Sequence, residues 1–254
     1  MATQILFENA ALLDLALGER RSGTSVLVEG DRILEVSEGR LRAPGARRID
    51  VGGRALPTTR FRNPLGRLEI DLETPLAVDR PLAVRIRYRG APRVAEIAPW
   101  DGGFVWSTAP TGEPWIATAV QGEGCDLFWP CIDHPLNEPG AVEQFVTVPA
   151  PLVAAGNGVD LGMTEKDGWR TYRFRARTPN TYAIALNIGP YSHLQAEYKS
   201  RYGNVIPLHF WHLASRETEA KKLFEEFPKI LDFYEQMIGP YPFGDEKMGV
   251  VETP

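Results

Sequence analysis

The chain has 254 residues, of which 43% are hydrophobic, and it carries 28 lysines and arginines against 33 aspartates and glutamates. The resulting net charge of −5 argues against a nucleic-acid partner held by bulk electrostatics, and two cysteines are too few for a disulfide scaffold. Composition therefore excludes a basic binding domain, a disulfide-rich scaffold and a disordered chain, and it leaves an enzyme open.

The first 18 residues lack the basic segment of a signal peptide, and their apolar run is interrupted by Asp14. No stretch of about 18 consecutive apolar residues occurs, so no membrane span is expected. Without a secretion signal, Cys125 and Cys131 are expected to stay reduced, and a cytoplasmic location is expected for the protein.

Apolar residues alternate with charged ones along three segments, which predicts strands with one buried and one solvent-facing side. The apolar positions are Leu68, Ile70 and Leu72, then Val84, Ile86 and Tyr88, and then Tyr172 and Phe174. Glycine and proline clusters between such segments indicate turns. The pattern predicts a mainly β chain built as a β-sandwich.

The hydrophobic period changes after Leu213 to steps of three and four residues, which predicts one apolar helix face. Its members are Ala220, Leu223, Phe224, Phe227, Leu231, Tyr234 and Ile238. Ser215 is a candidate N-cap, and Pro228 predicts a kink or a break into two helices. Gly239-Pro240 should end the helix, and a strand should begin near Met248.

Three segments near the N-terminus form a pattern. Ile5 to Ala10 is a predicted strand, Ser25 to Ile33 is a predicted hairpin, and Ile49 to Pro57 is a segment that contains two glycines. Together they resemble the opening of amidohydrolase-superfamily enzymes. In that family a Gly-Leu-Ile-Asp-x-His-x-His continuation supplies metal ligands, whereas the first histidine here is His134. The resemblance therefore implies a structural β-segment over residues 1–57 and no catalytic residue.

A longer series of motifs runs through the rest of the chain. It begins with Thr118-Ala119-Val120-Gln121-Gly122-Glu123-Gly124-Cys125 and Phe128-Trp129-Pro130-Cys131-Ile132-Asp133-His134-Pro135, and it continues through Val148-Pro149, Ala155-Gly156-Asn157-Gly158, Thr178-Pro179, Tyr182-Ala183-Ile184-Ala185, Gly189 and the segment from Phe233 to Phe243. In this order the motifs resemble aminopeptidase N-type zinc metallopeptidases, the gluzincins, from about Leu65 to Pro254. The resemblance implies a saddle-like N-terminal β-domain over 65–212, preceded by a junction at 58–64. Residues 213–254 would then be a helix and the beginning of a truncated α/β catalytic domain.

The same resemblance implies a substrate-binding residue, Gln121, at the position where the family binds the free α-amino group of a peptide. A side-chain carbonyl accepts a hydrogen bond from an ammonium group, so the chemistry is sound. The neighbouring glutamine of the family motif is Ala119 here. Glu123 is a second substrate-binding candidate, or an acid/base partner of Asp126, although either could simply be a loop residue. Asp133 is expected to cap the turn that follows it.

Zinc is the cofactor implied for the intact family enzyme, but no zinc is expected on this chain. The printed sequence has no His-Glu-x-x-His motif and no Gly-x-Met-Glu-Asn/His motif, and the resemblance implies that both lie beyond Pro254. His209 and His212 are three apart in a predicted strand, which places them on opposite faces. Cys125, Cys131 and His134 are one ligand short of a zinc site.

The leading hypothesis is therefore a zinc aminopeptidase that cleaves N-terminal residues from peptides, here without its zinc-binding helix and so inactive alone. The alternative is a non-catalytic β-sandwich binding or scaffold module. An amidohydrolase is a third hypothesis, and the missing His-x-His motif argues against it. The expected partner is the N-terminus of a peptide substrate, with neither nucleic acid nor membrane. An incomplete sheet and an apolar helix face also predict self-association through exposed edges.

Overall fold

The computed structural model describes residues 4–14, 19–29, 32–38, 43, 47–50, 61–62, 67–72, 83–120 and 122–254. The chain divides into two compact units, Met1–Arg87 and Tyr88–Pro254. The domain boundaries predicted at residues 57, 64 and 212 stay predictions. Among the described residues, no helix has the length and apolar character needed to cross a membrane.

The first unit contains a four-stranded sheet of β1 (Gln4–Asp14), β2 (Glu19–Glu29), β3 (Arg32–Glu38) and β4 (Arg47–Asp50). The strand order is β3-β2-β1-β4, with β4 parallel to β1 and the other pairs antiparallel. A second, two-stranded pair joins β5 (Phe61–Arg62) and β6 (Glu69–Ile70). The first strand and the hairpin predicted near the N-terminus are confirmed.

Two of the strands predicted from alternation differ in the structure. Residues 83–89 form no strand, and Val84, Ile86 and Tyr88 are 51%, 40% and 60% exposed. The strand predicted around Leu68 to Leu72 shrinks to the two residues of β6. Alternation predicts a strand only where a neighbouring strand supplies hydrogen-bond partners, and residues 83–89 have no such neighbour within the described parts of the chain.

The second unit opens with two facing sheets. The first has the order β10-β13-β8-β7, and its strands are β7 (Gly103–Thr108), β8 (Pro114–Ala119), β10 (Val153–Ala155) and β13 (Asn187–Gly189). The second has the order β11-β12-β9, and its strands are β9 (Ala141–Pro149), β11 (Val159–Lys166) and β12 (Trp169–Arg177). Apolar residues from both sheets form one core cluster that includes Ile116, Val148, Leu152, Ala154 and Ile188. The predicted mainly β sandwich is confirmed.

A third sheet carries the helices. β14 (Tyr191–Lys199) pairs antiparallel with β15 (Val205–Leu213), which pairs in parallel with β16 (Met248–Val251). Helices α1 (Glu217–Phe224) and α2 (Phe227–Met237) pack on this sheet. Their shared core contains Tyr198, Ile206, Leu208, Phe210, Ala220, Phe227 and Leu231. The strand predicted at Met248 is confirmed.

The break between the two helices falls where the sequence predicts it. Pro228 lies in the first turn of α2, where its missing N–H costs nothing, so the chain starts a second helix there. Gly239, with a φ of 115°, follows the end of α2 in a left-handed conformation. The predicted N-cap at Ser215 is wrong, because Ser215 lies in a short 3₁₀ turn and α1 begins after Arg216.

Candidate substrate-binding loop

The predicted substrate-binding motif lies in the loop that follows β8. Gln121 itself lies outside the described residues. On its C-terminal side, the backbone N–H groups of Glu123 and Gly124 both donate to the carbonyl of Val120, at 3.1 and 3.0 Å. Gly122 and Gly124 have φ values of 76° and 108°, which side-chain-bearing residues rarely adopt. Two glycines therefore let the chain reverse sharply directly after the predicted amine-binding position.

Glu123 is held by a paired contact with Arg93. The guanidinium donates from both terminal nitrogens to the two carboxylate oxygens, each at 2.9 Å, and it also donates to Asp101 at 2.7 Å. The hydrogen bond that Arg93 donates to Glu123 is the largest of the causes that raise the pKa of Arg93. The pKa of Asp101 is lowered, chiefly by the hydrogen bond that its carboxylate accepts from the backbone N–H of Glu96. Since both oxygens of Glu123 are occupied, its geometry fits a fixed support better than a free general base.

Arg93 owes its position to close backbone packing against β7. The backbone N–H of Phe104 donates to the Arg93 carbonyl at 2.7 Å, and the N–H of Ala95 donates back to Phe104 at 3.0 Å. A Cβ on Gly103 would lie 2.7 Å from both the Arg93 oxygen and the Ala95 nitrogen. Only glycine therefore permits this approach, which sets the distance from Arg93 to the loop.

Asp133 anchors the other end of the loop. Its Oδ1 accepts from the backbone N–H of Cys125 at 3.2 Å, and a side chain on Gly124 would overlap the same carboxylate. The prediction that Asp133 caps the turn after it is wrong, since the carboxylate holds the segment before it. The following turn is capped by His134, whose Nδ1 accepts from the N–H of Leu136 at 3.1 Å.

Cys125 and Cys131 form a disulfide in the structure, so the expectation of two reduced thiols is wrong. Their six-residue separation brings the Cα atoms to 6.3 Å because the loop between them folds back around the 3₁₀ turn Cys125–Leu127. A bonded pair has no thiolate to offer a metal, which rules out a Cys-Cys-His zinc site here.

The remaining histidines lie on the third sheet, and the predicted placement of His209 and His212 on opposite faces of their strand is confirmed. His209 Nδ1 lies 2.9 Å from His193 Nε2, and both rings stack with Trp211. His212 points to the other side, is 1% exposed, and contacts Phe210 and the Leu213 carbonyl. Within the described residues, no group of three or more histidine, cysteine or acidic side chains could hold a metal ion.

Sequence reasoning missed Arg93 and Asp101. Arg93 is 30 positions from Glu123 along the chain, and no motif connects them. The glycine pair Gly102-Gly103 was the available signal, since a Cβ on Gly102 would overlap the Glu123 side chain. Adjacent glycines in a strand-flanking segment can mark a close backbone approach as well as a turn.

Comparison with known proteins finds likeness in structure but not in sequence. No protein-family model and no curated protein match this sequence. Two crystal structures of a two-domain M1 zinc metallopeptidase match the fold, both of a glutamate-to-alanine variant. The one bound to L-arginine has a TM-score of 0.56 at 21% identity, and the one bound to L-tryptophan has a TM-score of 0.56 at 23% identity. Each match covers 98% of this chain and 55% of the other.

The likeness is one of fold. This chain shares the fold of part of those two structures, and it spans about half the length of those neighbours. Because the match extends over nearly the whole chain, it includes the N-terminal segment that resembles amidohydrolases. Neither neighbour supports that second resemblance.

Proposed function

We propose that this chain is part of a zinc-dependent aminopeptidase that removes N-terminal residues from peptides. The observation that carries the proposal is the shared fold with a two-domain M1 zinc metallopeptidase across 98% of this chain. The ordered motifs from Thr118 to Phe243 support the same assignment independently, because they come from the sequence and not from the fold.

In this proposal the loop after β8 receives the α-amino group of the substrate, with Gln121 as the accepting side chain. Glu123 is a positioning residue, since Arg93 occupies both of its carboxylate oxygens. Asp133 fixes the loop from the other side through the backbone of Cys125. A loop held at two points by charged side chains keeps a hydrogen-bond acceptor in one place, which limits the entropy lost on substrate binding.

The zinc of the proposed enzyme does not fit the described residues, which contain no cluster of three ligands. The printed sequence also has no His-Glu-x-x-His motif. Zinc ligands would have to come from elsewhere in the polypeptide, and this chain by itself is proposed to be inactive. In the absence of those ligands, its contribution is limited to binding and orienting the substrate amine.

The first test reads the coding sequence past Pro254, where a His-Glu-x-x-His motif and a more distant glutamate are expected. If they are found, the longer enzyme should hydrolyse aminoacyl-anilides, and Gln121→Ala should lower kcat/KM about 10- to 100-fold. This corresponds to the loss of one hydrogen bond to a charged group, about 1.5 to 3 kcal/mol. N-acetylated substrates should be poor for both forms.

Gln236→Ala is the matched control, because Gln236 is exposed on α2. The aminopeptidase proposal fails if the downstream sequence lacks the motif. Chelator-sensitive turnover by this chain alone would instead refute its proposed inactivity. Equal activity of Gln121→Ala and Gln236→Ala would refute only the role of Gln121. Peptide binding without hydrolysis by the longer protein would favour the binding-module alternative.

A further inference from the structure

A cavity of about 420 Å³ lies within the Tyr88–Pro254 unit, apart from the loop after β8. Its walls come from the β10–β11 turn, the segment after β12, β15, and the loop that leads into β16. They include Gly156, Pro179, Trp211, Tyr241, Phe243 and Lys247. The volume is in the range of small-ligand pockets, about 300 to 1,000 Å³, and much of the lining is apolar.

Lys247 is the unusual member of this lining, because it is a buried cation that is 8% exposed. Its Nζ donates to the Gly156 carbonyl at 2.9 Å and lies 5.0 and 5.2 Å from the ring centroids of Phe174 and Trp211. No carboxylate forms an ion pair with it among the described residues. An ammonium group has three N–H donors, so two remain after the bond to Gly156.

Two other charged residues at the cavity, Arg177 and Glu246, already have partners. Arg177 pairs through its guanidinium with Asp245, and its backbone N–H donates to Glu246 at 2.6 Å. Burial lowers the pKa of Lys247 to about 8, and the charges of Asp160 and Glu246 offset this only in part. The fold therefore keeps a cation in a desolvated place without the anion that would normally balance it.

The backbone here is shaped around Lys247. A Cβ on Gly156 would lie 2.6 Å from the Phe174 ring, so glycine is needed to bring that carbonyl to the ammonium. A Cβ on Gly249 would lie 3.2 Å from Trp211 and 3.5 Å from Lys247 Cε.

We propose that this cavity binds a small monocarboxylate, whose carboxylate accepts from Lys247 and whose apolar body lies against Trp211 and Phe243. A single unbalanced cation matches a single negative charge. The carboxylates of Glu138 and Glu246, which also line the cavity, disfavour a dianion such as phosphate. This site is independent of the proposed peptidase function, because it uses no residue of the loop after β8.

The test uses 3-phenylpropanoate as the probe, titrated into the purified 254-residue chain at pH 6.5 by calorimetry. One site per chain is expected. The uncharged analogue 3-phenylpropanamide should bind at least about tenfold more weakly, since it lacks the charge that Lys247 neutralises. Lys247→Met should also lose at least about tenfold in affinity, whereas Lys229→Met, at an exposed lysine paired with Glu226, should bind as the parent does.

A second measurement does not depend on the folding of a variant. The lysine ¹³Cε resonances report the pKa of Lys247, which should rise when the probe saturates the site, because a bound carboxylate favours the charged ammonium. Absence of binding at millimolar probe, equal binding of acid and amide, unchanged affinity in Lys247→Met, or an unchanged Lys247 pKa would each overturn the proposal.

Discussion

Two buried charged residues in the Tyr88–Pro254 unit differ in how many hydrogen bonds their charged groups make. Glu235 on α2 is 2% exposed and accepts four hydrogen bonds, from Tyr198 at 2.9 Å, Ser200 at 2.7 Å, and the backbone N–H groups of Arg201 and Tyr241 at 3.3 and 3.4 Å. Lys247, before β16, is 8% exposed and donates only to the Gly156 carbonyl among the described residues.

The difference appears in the direction of the two pKa shifts. Burial acts to raise the pKa of Glu235, but the hydrogen bonds from Ser200, Tyr198 and the two backbone N–H groups outweigh it, and the pKa is lowered. The pKa of Lys247 is lowered to about 8 by burial, so its charged form is disfavoured. A buried charge whose hydrogen bonds outweigh the cost of burial, such as Glu235, stabilises the fold. A buried charge with too few partners, such as Lys247, lowers stability and is a candidate for ligand binding.

The largest expected effect comes from removing the satisfied charge. Glu235→Ala should lower the free energy of unfolding by about 3 kcal/mol or more, because it leaves several buried donors without an acceptor. Urea denaturation followed by tryptophan fluorescence measures this unit alone, because all six tryptophans lie between Trp100 and Trp211. Glu219→Ala, at an exposed position of α1, should change little. A loss below about 1 kcal/mol would mean that the four hydrogen bonds of Glu235 do not hold the β14–β15 hairpin to α2.

Part of this comparison could be predicted from sequence and part could not. The apolar side of β12 and the helix break at Pro228 follow from local spacing, because each depends on residues a few positions apart. The local sequence does not predict the burial of Lys247. In Asp245-Glu246-Lys247, three charges next to a glycine are typical of a solvated turn. Lys247 is buried because β16 pairs with β15, about 40 residues earlier in the chain, and because Gly156 and Phe174 lie against its ammonium group.

The candidate loop shows the same division. Its glycines and the Gln121 position were available from the motif, while the Arg93–Glu123 pair and the Cys125–Cys131 disulfide depend on how distant or folded-back segments meet. The strand predicted at Val84 to Tyr88 failed for the same reason, because alternation does not reveal whether a partner strand is present.

Removing the under-satisfied charge should not destabilise the fold, in contrast to removing Glu235. Lys247→Met should leave the free energy of unfolding at pH 7 unchanged or raise it by about 1 to 2 kcal/mol, because removing an unbalanced buried charge outweighs the lost bond to Gly156. The same fluorescence-detected urea curves measure it, with Lys229→Met as the exposed control. A loss of more than about 1 kcal/mol would show that Lys247 is a structural residue like Glu235.

The smallest effect is a pH dependence that only the under-satisfied charge should produce. Because the pKa of Lys247 is about 8 in the fold and about 10.4 when unfolded, the unfolded chain binds more protons between these values, so stability rises with pH. The gain between pH 8 and 9 should be about 1 kcal/mol. Tyr191 and Tyr198, whose pKa values burial raises to about 12, act in the opposite direction only above about pH 10. Subtracting the Lys247→Met curve isolates the contribution of Lys247, and parallel curves for parent and variant would contradict the assignment of the low pKa to this residue.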